Sequence, residues 1–115
     1  MNMIWITTSF EGFHKYPNAP KEVEFLKNKH RHIFYIKVWI EVFHNDRDIE
    51  FILFKRFVDT IIKDSNFDFE SCEMISDDLY TLINEKYPNR EIWIEVSEDK
   101  ENGSFKKYVK GGDMK

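Results

Sequence analysis

The sequence predicts an α+β fold: a four-stranded antiparallel sheet with two helices on one face, in the order ββααββ. Three observations carry this reading. Arg31–Phe43 is a long run of β-branched and aromatic residues with apolar side chains on both faces. From Phe51 the apolar positions shift to helical spacing and keep it through two segments. Glu91–Ser97 then returns to strict alternation, and a last short strand follows. Strands flanking a helix pair segregate the helices to one side of the sheet.

The elements follow in order. Met3–Phe10 alternates and is rich in β-formers, which makes it the first strand. Lys15–Lys29 carries Pro17, Pro20 and many charges and reads as a long connection. In Arg31–Phe43, Ile33, Tyr35 and Trp39 share one face, while Phe34, Ile36, Val38, Ile40 and Val42 share the other. His44-Asn45-Asp46-Arg47-Asp48 is a polar turn, and His44 is a solvated loop residue within it.

Phe54, Phe57, Val58, Ile61 and Ile62 form the buried stripe of the first helix, opposite Lys55, Arg56, Asp59 and Lys63. Ser71 is the expected N-cap of the second helix, with Glu73 at its positive end. Ile75, Leu79, Leu82 and Ile83 are its expected buried stripe, and Pro88-Asn89 ends it. Ile92, Ile94 and Val96 point inward from the third strand. A turn at Asn102-Gly103 leads to the fourth, Phe105–Val109.

The chain has 115 residues, which suits one domain over residues 1–110 with a flexible tail at 111–115. Aromatic residues make up 17%, enough for broad sheet packing or an interface. Net charge is −4 with both signs interspersed, so no basic stripe marks a nucleic-acid partner. The start carries no secretory pattern and no stretch is long enough to span a membrane. The single cysteine, Cys72, points to a reducing cytoplasm. An open sheet whose second face is also apolar points to a homo-oligomer.

Three histidines stand out. His14 follows Ser9-Phe10-Glu11-Gly12-Phe13, and His30-Arg31-His32 opens the long strand. Residues two apart on a strand share a face, with Cβ atoms roughly 6–7 Å apart. Two imidazoles at that spacing can grip one ion, and a third from a neighbouring strand completes a facial set. Three nitrogens with an open fourth position describe a catalytic zinc. The competing reading is a chance His-x-His in a chain with four histidines.

Taken together, these residues resemble the 6-pyruvoyl-tetrahydropterin synthases and the related 6-carboxy-tetrahydropterin synthases of the queuosine pathway. Phe10-Glu11-Gly12-Phe13-His14 stands for the family's Phe-x-Ala-x-His, Tyr16-Pro17-Asn18-Ala19-Pro20 for its Pro-rich loop, and His30-Arg31-His32 for its His-Gly-His. Asp48-Ile49-Glu50-Phe51 resembles the Val-x-Asp-Phe before its first helix, and Ser71-Cys72-Glu73 the Thr-Ser-Glu at its second. Ile94-Glu95-Val96-Ser97-Glu98-Asp99 resembles its Val-x-Val-x-Glu-Thr, and Tyr108 its late tyrosine.

The resemblance runs from about Ile4 to Val109. It implies the T-fold, assembled into an oligomeric barrel that is commonly a hexamer, with sites between subunits. It implies Zn2+ on His14, His30 and His32, and substrate binding by Glu98 and Glu73. Glu98 would take the amino-pyrimidine edge of a pterin, where a carboxylate accepts two hydrogen bonds from adjacent N–H groups.

The pattern also departs from the family. The cysteine that serves as general base is replaced by Leu26, beside Phe25, and neither side chain carries a proton. Glu24, or its neighbour Glu22, is the nearest carboxylate, and Glu24 is the candidate catalytic base. Between the helices, Lys63-Asp64-Ser65-Asn66-Phe67-Asp68 is short and has no histidine where the family has an Asp-His pair. Arg31 replaces a glycine, and alternation sends its side chain off the histidine face toward an acidic partner or a substrate phosphate. Cys72 is a small, partly buried residue rather than a nucleophile.

The resemblance therefore implies a zinc-dependent lyase acting on a dihydropterin triphosphate side chain, with altered catalysis. The alternatives are an inactive T-fold protein that binds a pterin or purine, and a structural oligomer with a vestigial site.

Overall fold

A computed structural model describes residues 1–14, 16–27 and 30–110, without the side chains of Phe13, His14, Lys27 and His30. The expected tail at 111–115 lies outside the described residues. The fold is α+β, with one four-stranded antiparallel sheet in the order β1-β2-β3-β4. The strands are β1 (Asn2–His14), β2 (His30–Val42), β3 (Ile92–Glu98) and β4 (Asn102–Tyr108). Helices α1 (Phe51–Lys63) and α2 (Cys72–Lys86) lie between β2 and β3 in sequence. A kinked 3-10 segment, Lys21–Lys27, interrupts the connection from β1 to β2.

Both helices cover the same sheet face. Phe34, Ile36, Val38 and Ile40 alternate along β2 and join Ile92, Ile94 and Val96 of β3. Phe54, Val58 and Ile61 of α1, with Ile75, Leu79 and Ile83 of α2, complete one core. The stripe expected on α2 needs one correction. Leu82 is 38% exposed, and the helix turns Cys72 and Ser76 inward instead. Ser76 is tolerated there because the buried Tyr108 hydroxyl lies 2.9 Å from its Oγ.

Local chemistry fixes the helix starts. Ser71 Oγ accepts the Met74 N–H, as an N-cap should. Glu50 caps α1 through one carboxylate oxygen that accepts the Ile52 and Leu53 N–H groups. Arg90 ties the lead-in of β3 to the loop before α1 by donating to the Glu41 carbonyl and to Asp48.

Two strand boundaries differ from expectation. β1 runs on through Glu11-Gly12-Phe13 to His14, paired with β2 along its whole length. The last hairpin turns at Asp99-Lys100, not at Asn102-Gly103, which lie inside β4. Asp99 and Lys100 both have left-handed backbones (φ 55° and 61°), and the Glu101 N–H closes the turn onto the Glu98 carbonyl. This register places Tyr108 opposite Ile92 on the core face and Phe105 opposite Glu95 on the other. Gly103 suits a close approach of the strands, since a Cβ there would press on the Val96 carbonyl and Ser97.

Among the described residues, the opposite sheet face carries no α-helix. The register sets all three tryptophans in one row: Trp5 against Trp39, Trp39 against Trp93, and Trp93 against Lys107. Lys37 Nζ lies 4.3 Å from the Trp5 ring centroid and Lys107 Nζ 4.5 Å from that of Trp93. Phe105 packs on Trp39 at 5.6 Å. Among the described residues, no helix is long and apolar enough to cross a membrane.

Candidate functional site

The histidine positions gather at one end of the sheet. Antiparallel pairing sets His14 opposite His30, and His32 opposite Gly12. Alternation puts positions 14, 30 and 32 on the helix-covered face, in line with Phe34. The side chains of His14 and His30 lie outside the described residues. The expected three-imidazole set is thus represented by backbone register and by the His32 side chain.

Below this end the core closes with aromatic rings. Phe10 stacks on Phe34 at 5.0 Å, and Phe67 from the α1–α2 loop tilts against Phe10 at 5.6 Å. The His32 ring meets Phe34 edge-on at 6.1 Å. Gly12 is small for a steric reason: a Cβ there would lie 3.1 Å from the Phe10 ring and 3.2 Å from that of Phe34. A cavity of about 470 Å3 opens beside these rings. It is lined by Phe10, Gly12, Phe34 and Phe67, together with Lys63, Asn66 and the acidic Glu11 and Asp68. Its size falls in the usual small-molecule range of about 300–1,000 Å3. A larger groove, about 1290 Å3, runs along the strands, and neither it nor the smaller cavity is lined by His32, Cys72, Glu98 or Asp99. The smaller cavity reaches toward the histidine end through Gly12, the strand partner of His32.

β3 delivers Glu98 to the same place. It pairs with Phe34, so its side chain emerges on the helix-covered face, where the apolar run Ile92, Ile94, Val96 ends. Glu98 Oε2 lies 3.6 Å from His32 Nε2, and both side chains are 20% exposed. The next residue, Asp99, bonds His32 Nδ1 through Oδ2 at 2.7 Å and accepts the Ile33 N–H through Oδ1 at 2.9 Å. The Ile33 N–H and the His32 ring hold the Asp99 carboxyl below the usual carboxylate range.

The start of α2 carries Cys72 and Glu73. Cys72 is buried, and its thiol is pushed up to about 11 by burial and by the negative charges of Glu98 and Glu73. Glu73 belongs to the first turn of α2. Glu73 itself is exposed. A thiol held neutral in this way is a packing group, as the sequence suggested.

The structure therefore brings His32 and Glu98 together, while Glu73 lies exposed on the first turn of α2. Glu24 is exposed on the 3-10 segment, and no described contact joins it to His32 or Glu98. Arg31 points away from the histidine face and pairs with Glu11 at 2.9 Å, one of the two fates expected for it. His44 is solvated, with its Nδ1 accepting the Asp46 N–H. Among the described residues, no group of three or more histidine, cysteine or carboxylate side chains is arranged around one ion.

Sequence reasoning missed Asp99. Asn102-Gly103 is the stronger hairpin signal and drew the turn away from it. An aspartate next to Glu98 at the end of an alternating strand was the available clue.

No protein-family model matches the chain, and no curated protein matches it.

Proposed function

We propose that this chain is a T-fold protein of the 6-pyruvoyl/6-carboxy-tetrahydropterin synthase type that binds a dihydropterin at the strand end where His32, Glu98 and Asp99 meet. The reading extends to Zn2+ held by His14, His30 and His32, and to a homo-oligomeric barrel of hexameric size that closes the open edges β1 and β4. The observation that carries it is the approach of His32 and Glu98 to 3.6 Å across two strands. The resemblance named both residues for one site, and composition gives no reason for them to meet.

The donor set suits zinc. His32 commits Nδ1 to Asp99, so Nε2 is the atom its ring offers for coordination. Positions 14 and 30 pair directly, two residues along the same face. A zinc ion in that setting supplies Lewis-acid polarisation of substrate oxygens.

The remaining chemistry belongs to the chain. Glu98, largely shielded, accepts paired N–H groups from the edge of a flat heterocycle. Phe10, Phe34 and Phe67 give that ring an apolar floor. Lys63 in the cavity lining offers a cation to a phosphorylated side chain. Proton transfer is the weak point. Leu26 occupies the position of the family's base, and Glu24 is exposed on the 3-10 segment. This specific departure favours, as second reading, a protein that binds a pterin or purine without turning it over.

The test is direct. Purified protein is assayed for zinc by elemental analysis, then incubated with 7,8-dihydroneopterin triphosphate, with products followed by mass spectrometry and oligomer size by light scattering. Bound zinc with triphosphate release supports the synthase reading. Zinc with saturable binding and no product supports the binder. A protein that neither retains added zinc nor binds the pterin refutes both.

A further inference from the structure

We infer that Asp99 is a positioning residue: its clamped carboxylate holds His32 in the Nδ1–H form and turns Nε2 to the Glu98 side as the coordinating atom. The consequence for zinc rests on the functional reading above. The tautomer itself does not.

The argument begins with the turn. Asp99 and Lys100 both occupy the left-handed region, which L residues with a Cβ seldom adopt and glycine adopts freely. An aspartate persists at φ 55° with its N–H and both carboxylate oxygens engaged on β2. Its N–H donates to the Ile33 carbonyl at 2.8 Å, and its Oδ1 accepts the Ile33 N–H at 2.9 Å. These two bonds already fix the turn to the strand. The third, from Oδ2 to His32 Nδ1 at 2.7 Å, is not needed for that purpose.

An ionised carboxylate has only acceptors, so the proton in this bond belongs to His32 Nδ1. Proton placement then follows from geometry. Nδ1 carries the hydrogen, and Nε2 keeps its lone pair in the neutral ring. Nε2 faces the other carboxylate of the cluster, Glu98, at 3.6 Å. A carboxylate behind the distal nitrogen is the usual outer partner of a metal-bound imidazole, fixing its tautomer and ring angle. The family motif named earlier has threonine where this chain has Asp99, so the device belongs to this sequence.

Asp99→Asn separates this role from simple turn formation. Asparagine tolerates a left-handed backbone, and its single amide oxygen can keep the Ile33 N–H. Its NH2 group then faces His32 Nδ1 and asks that nitrogen to accept. The tautomer should invert, placing the hydrogen on Nε2 and blocking coordination. Lys100→Gly is the control: it changes the neighbouring left-handed position and leaves the His32 bond in place.

Long-range proton–nitrogen correlation spectra of metal-free protein, recorded across a pH series, read the tautomer directly. We expect hydrogen on Nδ1 in the wild type and in Lys100→Gly, and on Nε2 in Asp99→Asn. Zinc competition with a chromophoric chelator should show about 10–100-fold weaker binding for Asp99→Asn, and no change for Lys100→Gly. Amide spectra check that the hairpin stays folded. Hydrogen on Nε2 in the wild type overturns the inference, as does an Asp99→Asn protein that keeps the wild-type tautomer. Equal zinc affinity in Asp99→Asn and wild type also overturns it. If the wild type binds no zinc, the functional reading falls, and the tautomer comparison alone decides the role of Asp99.

Discussion

Cys72 should be nearly inert toward thiol reagents, and the structure gives the size of the effect. Its thiol is pushed up to about 11 from an ordinary 9.0, first by burial and then by Glu98 and Glu73. At pH 7.5 an ordinary thiol is about 3% ionised, while this one is ionised in about 3 molecules per 10,000. Thiolate fraction alone therefore slows the reaction about 100-fold, and 7% exposure slows approach further. The assay is the rate of colour release from a disulfide reagent at pH 7.5, native protein against the same chain in urea. Glu98→Gln removes the larger of the two charge contributions and should recover only a few-fold in rate, because burial is the main cause. A native rate within about tenfold of the denatured one, or full recovery in Glu98→Gln, would refute the reasoning. Either result would make Cys72 a candidate proton carrier.

Two further outcomes test the fold around the site. Tyr108→Phe removes a hydroxyl that donates to Asp77 at 2.5 Å and lies 2.9 Å from buried Ser76. Loss of one charge-assisted and one neutral bond should cost about 2–3 kcal/mol by urea denaturation; a loss under about 0.5 kcal/mol would show that water replaces the hydroxyl. Glu70 is pushed up to about 7 by burial and by its hydrogen bond and repulsion with Asp78. Folding therefore takes up a proton there, so this contribution is complete below pH 4.5 and is lost as pH rises through 7. Asp78→Asn should flatten the fall in urea midpoint across that window, and an unchanged slope would remove the pair as its source.

Much of the fold is legible in local pattern. α1 begins and ends where the helical stripe does, because Phe54, Val58 and Ile61 repeat at helical spacing and polar residues bracket them. β2 is legible because both of its faces are apolar over Ile33–Val42. The last hairpin is not, because its turn is decided by partners far away in sequence. Tyr108 finds Ser76 and Asp77 on α2, and Asp99 finds His32 and Ile33 on β2. Those contacts outweigh the local preference of Asn102-Gly103 for a tight turn. The same distinction applies at the site. His32 and Glu98 are visible as residue types in a familiar order, whereas Asp99 acquires meaning only when β2 and β3 lie side by side. Glu24 shows the converse: a carboxylate near the right place in sequence sits on an exposed 3-10 turn.

The tryptophan row has an optical corollary. Every indole in the chain lies on the sheet face that the helices leave bare, and among the described residues the helix-side core holds phenylalanine, tyrosine and aliphatic groups with Cys72 and Ser76. Intrinsic emission is therefore blind to the helix layer and sensitive to whatever shields the bare face. Docking of another subunit against that surface would shift the spectrum to the blue with secondary structure unchanged. Loosening of α1 and α2 would register in circular dichroism while the indole signal held still.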